Sequence, residues 1–272
     1  MSQGSEAGRQ DASGSALVLY EVRERVALLT LNRPEKYNAL SLDLLKALSD
    51  AVDRAEADEG VGALVLRGAG RHFCAGADLA EMAAIGSLAD AQRWLDERAP
   101  YFERLARCPK PVIAAVHGFT LGGGLELAMQ ADLRVAGESA QLGQPEILVG
   151  IMPGAGGTQR LARLIGLGRA LEWLLTGDRM NAQEAWRIGL VNRVVPDDEL
   201  LQAAEELARR LTRQPPLSVL YIKRCTREGL QMALEQGLAL ERQAFVATLA
   251  SEDRREGVRA FLEKRSPRFQ GR

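Results

Sequence analysis

The spacing of apolar residues near the start of the chain predicts strands followed by a helix. Residues 17–22 and 26–34 are rich in strand-forming residues, and we expect a hairpin closed by a turn at Arg33 and Pro34. Over residues 41–58 the apolar positions recur at helical spacing along one face. The chain is therefore expected to begin with two strands and a helix.

Further along, continuous apolar runs alternate with helical patterns. Residues 61–68 and 110–118 are short apolar runs, which are typical of strands buried on both faces. Helices are predicted at residues 92–108, 158–177 and 181–191, and further strands at residues 131–137 and 192–196. This alternation predicts an α/β fold with parallel strand pairing.

The pattern changes after Pro196, where strand signals end. Residues 197–263 have the pattern of consecutive helices, with breaks at Pro215 and Pro216 and near Ser251. We expect this helical region to pack outside the α/β core or against another subunit.

These patterns divide the chain into three parts. Residues 1–15 are small and polar and contain no apolar signal segment, so they are predicted to form a disordered tail. Residues 16–196 are predicted to form the α/β core. Residues 197–272 are predicted to form the helical C-terminal region.

Composition argues against several classes of function. The 272 residues carry a formal net charge of −1 without a basic stripe, so neither nucleic acid nor a membrane is an expected partner. Cys74, Cys108 and Cys225 are scattered, which argues against a disulfide framework and favours a cytoplasmic location. No apolar run approaches the length of a transmembrane helix.

Familiar cofactor motifs are absent from the sequence. It contains no P-loop, no HExxH or CxxC motif for zinc and no GxSxG nucleophile elbow. The glycines that begin at Gly154 lack the third glycine of a dinucleotide fingerprint. We therefore expect neither a metal site nor a redox cofactor.

Two glutamates occur where a carboxylate is costly to bury. Glu126 lies among leucines just after three consecutive glycines, and Glu146 lies in an apolar, glycine-rich segment. The helix and return strand predicted between them are able to bring both to one end of a sheet. Two carboxylates in a poorly hydrated site do not both ionise easily, so one accepts a proton while the other donates one.

Two glycine turns suggest a site for an oxyanion. Gly122–Gly124 and the turn Cys74–Asp78 both follow a buried strand and precede a helix, an order that exposes free backbone N–H groups to a ligand. One N–H group from each turn is able to hold a single oxyanion. Taken alone, Glu126 also fits a residue that only complements the helix dipole, and Glu146 a loop cap. The glycines alone also fit tight packing.

Six segments in order resemble the crotonase, or enoyl-CoA hydratase/isomerase, superfamily. The resemblance extends from about Leu17 to Gln270 and is carried by LNRPEKYNALS, FCAGADLAEM, KPVIAAVHGFTLGGGLELAMQADLRVA, GQPEILVGIMPGAGGTQRLARLIG, LTGD and FLEKRSPRF. It implies an α/β fold built as a crotonase-like spiral of ββα turns with two nearly perpendicular sheets. It also implies a helical C-terminal region that forms trimers, which commonly pair into hexamers.

The resemblance also implies an activity and its residues. Such proteins bind acyl-CoA thioesters and stabilise an enolate through two backbone N–H groups, which match Ala77 and Gly123 here. Both glutamates of the hydratases match as well, at Glu126 and Glu146. In the implied reaction Glu126 deprotonates a water that adds to a trans-2-enoyl-CoA, and Glu146 delivers a proton to C2.

Further positions match family segments that contact the CoA substrate. They are Lys36, Ala75, Asp78, Leu79, Phe261 and Lys264. The alternatives are a Δ3,Δ2-enoyl-CoA isomerase, a hydratase for a branched substrate such as 3-methylglutaconyl-CoA, and an RNA- or CoA-binding assembly protein. Two intact glutamates favour a hydratase, and the near-neutral charge argues against RNA binding.

Overall fold

The structure is a computed structural model that describes residues 16–272, so the tail predicted at residues 1–15 lies outside it. Within this part of the chain, the strands are β1 Val18–Arg23, β2 Val26–Leu31, β3 Ala63–Gly68, β4 Val112–Val116, β5 Phe119–Leu121, β6 Leu133–Gly137, β7 Gln141–Gly143, β8 Arg179–Asn181 and β9 Arg193–Val195.

Helices connect these strands and form the C-terminal region. They are α1 Leu42–Ala57, α2 Leu79–Met82, α3 Leu88–Phe102, α4 Arg104–Arg107, α5 Gly123–Ala128, α6 Gly157–Ile165, α7 Leu167–Thr176, α8 Ala182–Arg187, α9 Leu200–Thr212, α10 Pro216–Gly229, α11 Leu234–Ala250 and α12 Glu252–Leu262. Short 3-10 turns lie at Pro34–Lys36, Pro145–Val149 and Asp197–Glu199.

The strands form two sheets. The larger sheet has the order β1-β2-β3-β4-β6-β9, in which only β1 and β2 pair antiparallel. The smaller sheet has the order β5-β7-β8, with β5 parallel to β7 and β7 antiparallel to β8. The parallel pairing predicted from the alternating pattern is therefore confirmed for the larger sheet.

Successive strand–strand–helix units stack on one another and build a spiral. In one unit β4 joins the larger sheet, β5 joins the smaller sheet and α5 follows; β6, β7 and α6 repeat this order. Isolated parallel bridges from Leu40 to Ala77 and from Cys74 to Thr120 continue the stacking into the earlier units. The α/β fold with a helical C-terminal region is confirmed, and the stacking agrees with the spiral that the resemblance implies.

Helices cover both faces of the larger sheet, which explains its continuous apolar strands. β2 and β4 are buried along their whole length, as their apolar runs predict. On one face, Val65 and Ile113 pack with Leu207 of α9. On the other face, Leu66 packs in the same cluster as Leu48 of α1. The sheet is thus a fixed platform for the turns at its edge.

The predicted turn of the first hairpin was wrong. Its strands are joined by Glu24 and Arg25, which both have positive φ, at 46° and 67°. This two-residue turn needs a left-handed backbone, which glycine and asparagine usually provide, so Glu and Arg give no sequence signal for it. Arg33 and Pro34 lie beyond the end of β2.

Two predicted helices are divided. The helix expected over residues 92–108 lies in α3 and α4, which are separated at Glu103. The helix expected over residues 158–177 consists of α6 and α7, which are separated at Gly166 with φ at 85°. In the C-terminal region the predicted breaks are confirmed, because α10 begins at Pro216 and Ser251 caps α12. Among residues 16–272, no helix is long and apolar enough to span a membrane.

Candidate active site

Two glycine turns from neighbouring units of the spiral lie against each other. Gly76 has φ at 111°, and a Cβ atom there would lie 3.1 Å from the carbonyl oxygen of Leu121 and 3.5 Å from the backbone nitrogen of Gly123. A Cβ atom at Gly124 would lie 2.2 Å from the carbonyl oxygen of Cys74. Both turns therefore need glycine for close backbone approach, which explains the glycines noted in the sequence.

Each turn carries a backbone N–H group that has no acceptor within residues 16–272. In the bridge with Leu40, the hydrogen bonds run from Leu40 to Gly76 and from Asp78 to Leu40, so the N–H group of Ala77 takes no part. Gly123 is the first residue of α5, where an N–H group has no partner within the helix. Among residues 16–272, neither amide donates a hydrogen bond, although each residue is half-buried.

Glu126 lies on α5 and is held by two backbone donors. Its side chain is buried, and Oε1 accepts the N–H groups of Ala155 at 2.8 Å and Gly157 at 2.7 Å. Burial raises the pKa of the Glu126 carboxyl above its ordinary value. The two hydrogen bonds and the charge of Arg160 oppose this rise, because they favour the ionised form.

Glu146 lies on the 3-10 turn Pro145–Val149 and is half-buried. Its carboxylate borders the turn Gly122–Gly124, because a Cβ atom at Gly122 would lie 2.9 Å from Oε1 of Glu146. Burial, together with the nearby charge of Glu126, raises the pKa of Glu146 to about 7, although its own backbone N–H group acts in the opposite direction. A neighbouring carboxylate raises the pKa of a carboxyl because it disfavours a second negative charge.

A fully buried amide contacts Glu146. With its nitrogen turned towards Glu146, the Gln144 side chain donates to Oε1 at 3.0 Å and to Oε2 at 3.2 Å. A Cβ atom at Gly157 would lie 2.9 Å from this same amide nitrogen of Gln144 and 3.0 Å from Oε1 of Glu126. Gly157 therefore lies where both side chains approach the same stretch of backbone.

The predicted CoA-contact residues fall into two groups in the single chain. Lys36 and Ala75 lie on adjacent segments, because the N–H group of Ala75 donates to Tyr37 at 3.0 Å. Asp78 pairs with Arg33 at 3.1 Å and caps α2 through Ala80. The same α2 begins at Leu79, whose side chain is exposed.

Phe261 and Lys264 form the second group, at the end of α12. Phe261 is exposed, and the backbone of Lys264 donates to Phe261. No hydrogen bond within residues 16–272 links either of them to the first group.

Sequence reasoning missed the residues that support the glutamates. Gln144, Ala155 and Gly157 were not predicted, and neither was Arg160. A signal was present in the glycine-rich stretch from residue 154 to 157, which fails as a dinucleotide motif but suits backbone donation to a carboxylate.

Comparison with known proteins identifies the family of this chain. The sequence model of the family described as Enoyl-CoA hydratase/isomerase matches residues 21–272. The chain therefore belongs to the enoyl-CoA hydratase/isomerase family, which confirms the resemblance found in the sequence.

Individual relatives cover nearly the whole chain. A 2,3-dehydroadipyl-CoA hydratase of Escherichia coli is 46% identical over 92% of this chain and 97% of its own length. A short-chain-enoyl-CoA hydratase of Clostridium acetobutylicum is 42% identical over 91% of this chain and 95% of its own. The crystal structure of an enoyl-CoA hydratase from Bacillus anthracis superimposes with a TM-score of 0.90 at 40% identity, covering 94% of this chain and all of the other.

Proposed function

We propose that the protein is an enoyl-CoA hydratase that adds water in the syn sense across the 2,3 double bond of a trans-2-enoyl-CoA. The product is a 3-hydroxyacyl-CoA. The observation that carries the proposal is the carboxylate pair Glu126 and Glu146 beside two backbone N–H groups, of Ala77 and Gly123, that donate to no acceptor in the described chain. The relatives named as hydratases support the same class of reaction.

The two free amides suit the developing charge of this reaction. When water attacks C3, negative charge moves to the thioester oxygen, and the N–H groups of Ala77 and Gly123 hold the resulting enolate. Donors fixed in advance stabilise this charge without reorganisation. Hydration involves no net redox change and the thioester serves as electron sink, so we propose no metal or redox cofactor.

The two glutamates have environments that suit opposite roles. Glu126 accepts two N–H bonds, which favour the carboxylate that deprotonates the attacking water. Glu146 has a pKa of about 7, so near neutral pH much of it carries the proton that C2 requires. After the reaction, exchange with solvent returns each residue to its starting state.

Substrate binding and assembly are proposed together. Lys36, Ala75, Asp78 and Leu79 are proposed to contact CoA within one chain. The helices α10–α12 expose large apolar side chains that an isolated chain leaves in water: Ile222, Leu230, Leu234, Phe245, Val246, Phe261 and Leu262. We propose that a homotrimer or homohexamer covers part of this surface and brings Phe261 and Lys264 to a neighbour's CoA.

The location is proposed to be cytoplasmic. Cys74, Cys108 and Cys225 are free cysteines, which fits a reducing compartment.

A panel of enoyl-CoA thioesters tests the function. We expect loss of the conjugated-thioester absorbance with crotonyl-CoA and its longer homologues, and in deuterated water a 3-hydroxyacyl product with deuterium at C2. The panel includes 3-methylglutaconyl-CoA and a 3-enoyl-CoA, which separate the branched-chain hydratase and the isomerase. The exposed Glu138 gives a control, because Glu138→Gln should keep full activity.

Three results would contradict the proposal. Conversion of the 3-enoyl-CoA without any hydroxyacyl product identifies an isomerase. Activity confined to 3-methylglutaconyl-CoA identifies the branched-chain enzyme. Salt-dependent RNA binding without turnover of any thioester identifies a binding protein.

A further inference from the structure

Arg160 supports the loop that holds Glu126. The segment 153–157 presents the N–H groups of Ala155 and Gly157 to one carboxylate oxygen of Glu126, at 2.8 and 2.7 Å. Arg160, in the first turn of α6, donates from Nη1 to the carbonyl oxygen of Ala155 at 3.0 Å. Ala155 is therefore bonded on one side to the catalytic carboxylate and on the other to the guanidinium.

The guanidinium occupies space that a glycine leaves free. Gly156 has φ at 103°, and a Cβ atom there would lie 1.9 Å from Nη1 of Arg160. The backbone N–H group of Arg160 also donates to the carbonyl oxygen of Gly156 at 2.8 Å. Gly156 and Arg160 are thus matched, because a side chain at 156 displaces the guanidinium.

We propose that Arg160 is a positioning residue for Glu126. Arg160 fixes the 153–157 loop so that two N–H groups meet one carboxylate oxygen of Glu126, and the charge of Arg160 favours the ionised carboxylate. This inference deepens the proposed hydratase function and rests on it. Arg160 acts through Glu126 and contacts no reacting atom.

Several charged groups face Glu126 and Arg160. Glu126 interacts with Arg160 from α6 and with Glu146 from the neighbouring 3-10 turn. Arg160 interacts in addition with Glu103 beside α3 and with Arg227 on α10. Burial lowers the pKa of Arg160, but a guanidinium at this site stays charged at neutral pH.

The direction of the effect follows from these contacts. Burial raises the pKa of Glu126, whereas the N–H groups of Gly157 and Ala155, and after them the charge of Arg160, lower it. Without Arg160, the pKa of Glu126 rises and the ionised carboxylate forms only at higher pH. The acid limb of kcat therefore moves to higher pH, because activity is lost when Glu126 takes up its proton.

Three variants test the proposal in the full-length enzyme. Arg160→Met should lower kcat on crotonyl-CoA by about 10–100-fold with KM nearly unchanged, and should move the acid limb upward. Arg160→Lys should restore the acid limb but only part of kcat, because lysine keeps the charge without the planar donors. Arg163→Met is the matched control on the same helix and should match the wild type, since Arg163 is exposed and, within residues 16–272, its side chain hydrogen-bonds to Gln159 alone.

A second measurement is independent of turnover. Carboxyl ¹³C NMR of glutamate-labelled protein, with Glu126→Gln to assign the signal, should show a higher pKa for Glu126 in Arg160→Met. If circular dichroism shows that Arg160→Met does not fold, Arg160→Gln takes its place in both measurements.

A folded variant in which both the acid limb and the Glu126 titration match the wild type overturns the proposal, whatever its kcat. A wild type that hydrates no thioester refutes the proposed function instead, and the NMR test still decides the role of Arg160.

Discussion

Glu126 and Glu146 meet at one site, but the protein surrounds their carboxylates differently. Glu126 is only 3% exposed, and one of its oxygens accepts two backbone N–H groups. Glu146 is half-buried, and its carboxylate accepts hydrogen bonds from the side-chain amide of Gln144. The more deeply buried carboxylate is the one with fixed backbone donors.

This difference shows that depth of burial alone does not decide which glutamate carries the proton. Burial raises the pKa of both carboxyls, but the pKa of about 7 belongs to the less buried Glu146. Backbone donors favour the ionised form and offset the desolvation of Glu126. Two residues of the same type are thereby suited to act as base and acid.

The strongest way to break the comparison is to remove each carboxylate in turn. Glu126→Gln and Glu146→Gln should each lower kcat for hydration by about 10²–10⁴-fold, because a positioned acid or base contributes about that much. Steady-state kinetics on crotonyl-CoA measures the loss. Glutamine is nearly isosteric with glutamate. At position 126 its amide oxygen is still able to accept hydrogen bonds from the N–H groups of Ala155 and Gly157.

The double variant tests whether the pair acts as a unit. Its loss should be smaller than the product of the two single losses, because both residues serve one water and one proton transfer. A single Gln variant with unimpaired hydration would falsify the two-carboxylate mechanism.

A smaller effect on kcat is expected from a substitution at Gly123, in the turn Gly122–Gly124. Gly123→Pro removes the N–H group and should lower kcat by about 10²–10³-fold. Because Gly123 is the first residue of α5, proline suits the helix there. Circular dichroism checks the fold.

Gly123→Ala is the matched control for this prediction. It keeps the N–H group and adds a Cβ atom 3.3 Å from Cδ1 of Leu40. We expect it to retain most activity, since only a small shift of Leu40 is needed. Equal losses in the alanine and proline variants would assign the effect to packing instead of the donor.

The sequence predicted the parts of the fold that depend on burial. The larger sheet follows from apolar runs such as residues 110–118, because strands buried on both faces carry that pattern. The smaller sheet was not predictable from such a pattern. Its strands β5, β7 and β8 have three residues each, which is too few to show the alternation of apolar and polar residues in a strand. Its existence was implied only by the family resemblance.

The residues of the candidate site were also predictable only in part. Glu126 and Glu146 were recognisable because carboxylates among apolar residues are unusual. Their partners were not, because Ala155 and Gly157 act through backbone atoms that every residue has. The role of Arg160 depends on where the turn at Gly156 places a guanidinium, which a one-dimensional pattern does not contain.

The smallest expected effect sharpens the comparison through stability. The pKa of Glu146 is raised to about 7 from its ordinary value of 4.5, so the folded protein binds this proton more tightly than the unfolded chain does. The resulting stabilisation is present below pH 4.5 and is lost as pH rises through 7. Glu146→Gln does not titrate, so at pH 8 it should be more stable than the wild type by about 1–2 kcal/mol, allowing for solvent screening of a half-exposed group.

Urea unfolding at pH 4 and pH 8, at fixed protein concentration, measures this difference. The advantage of Glu146→Gln should largely disappear at pH 4, where Glu146 is mostly protonated in both states of the wild type. The exposed Glu138 supplies the control, because Glu138→Gln should change stability by less than about 0.5 kcal/mol at either pH. If Glu146→Gln has the same advantage at both pH values, its gain comes from packing, and the raised pKa on which the acid role depends is wrong.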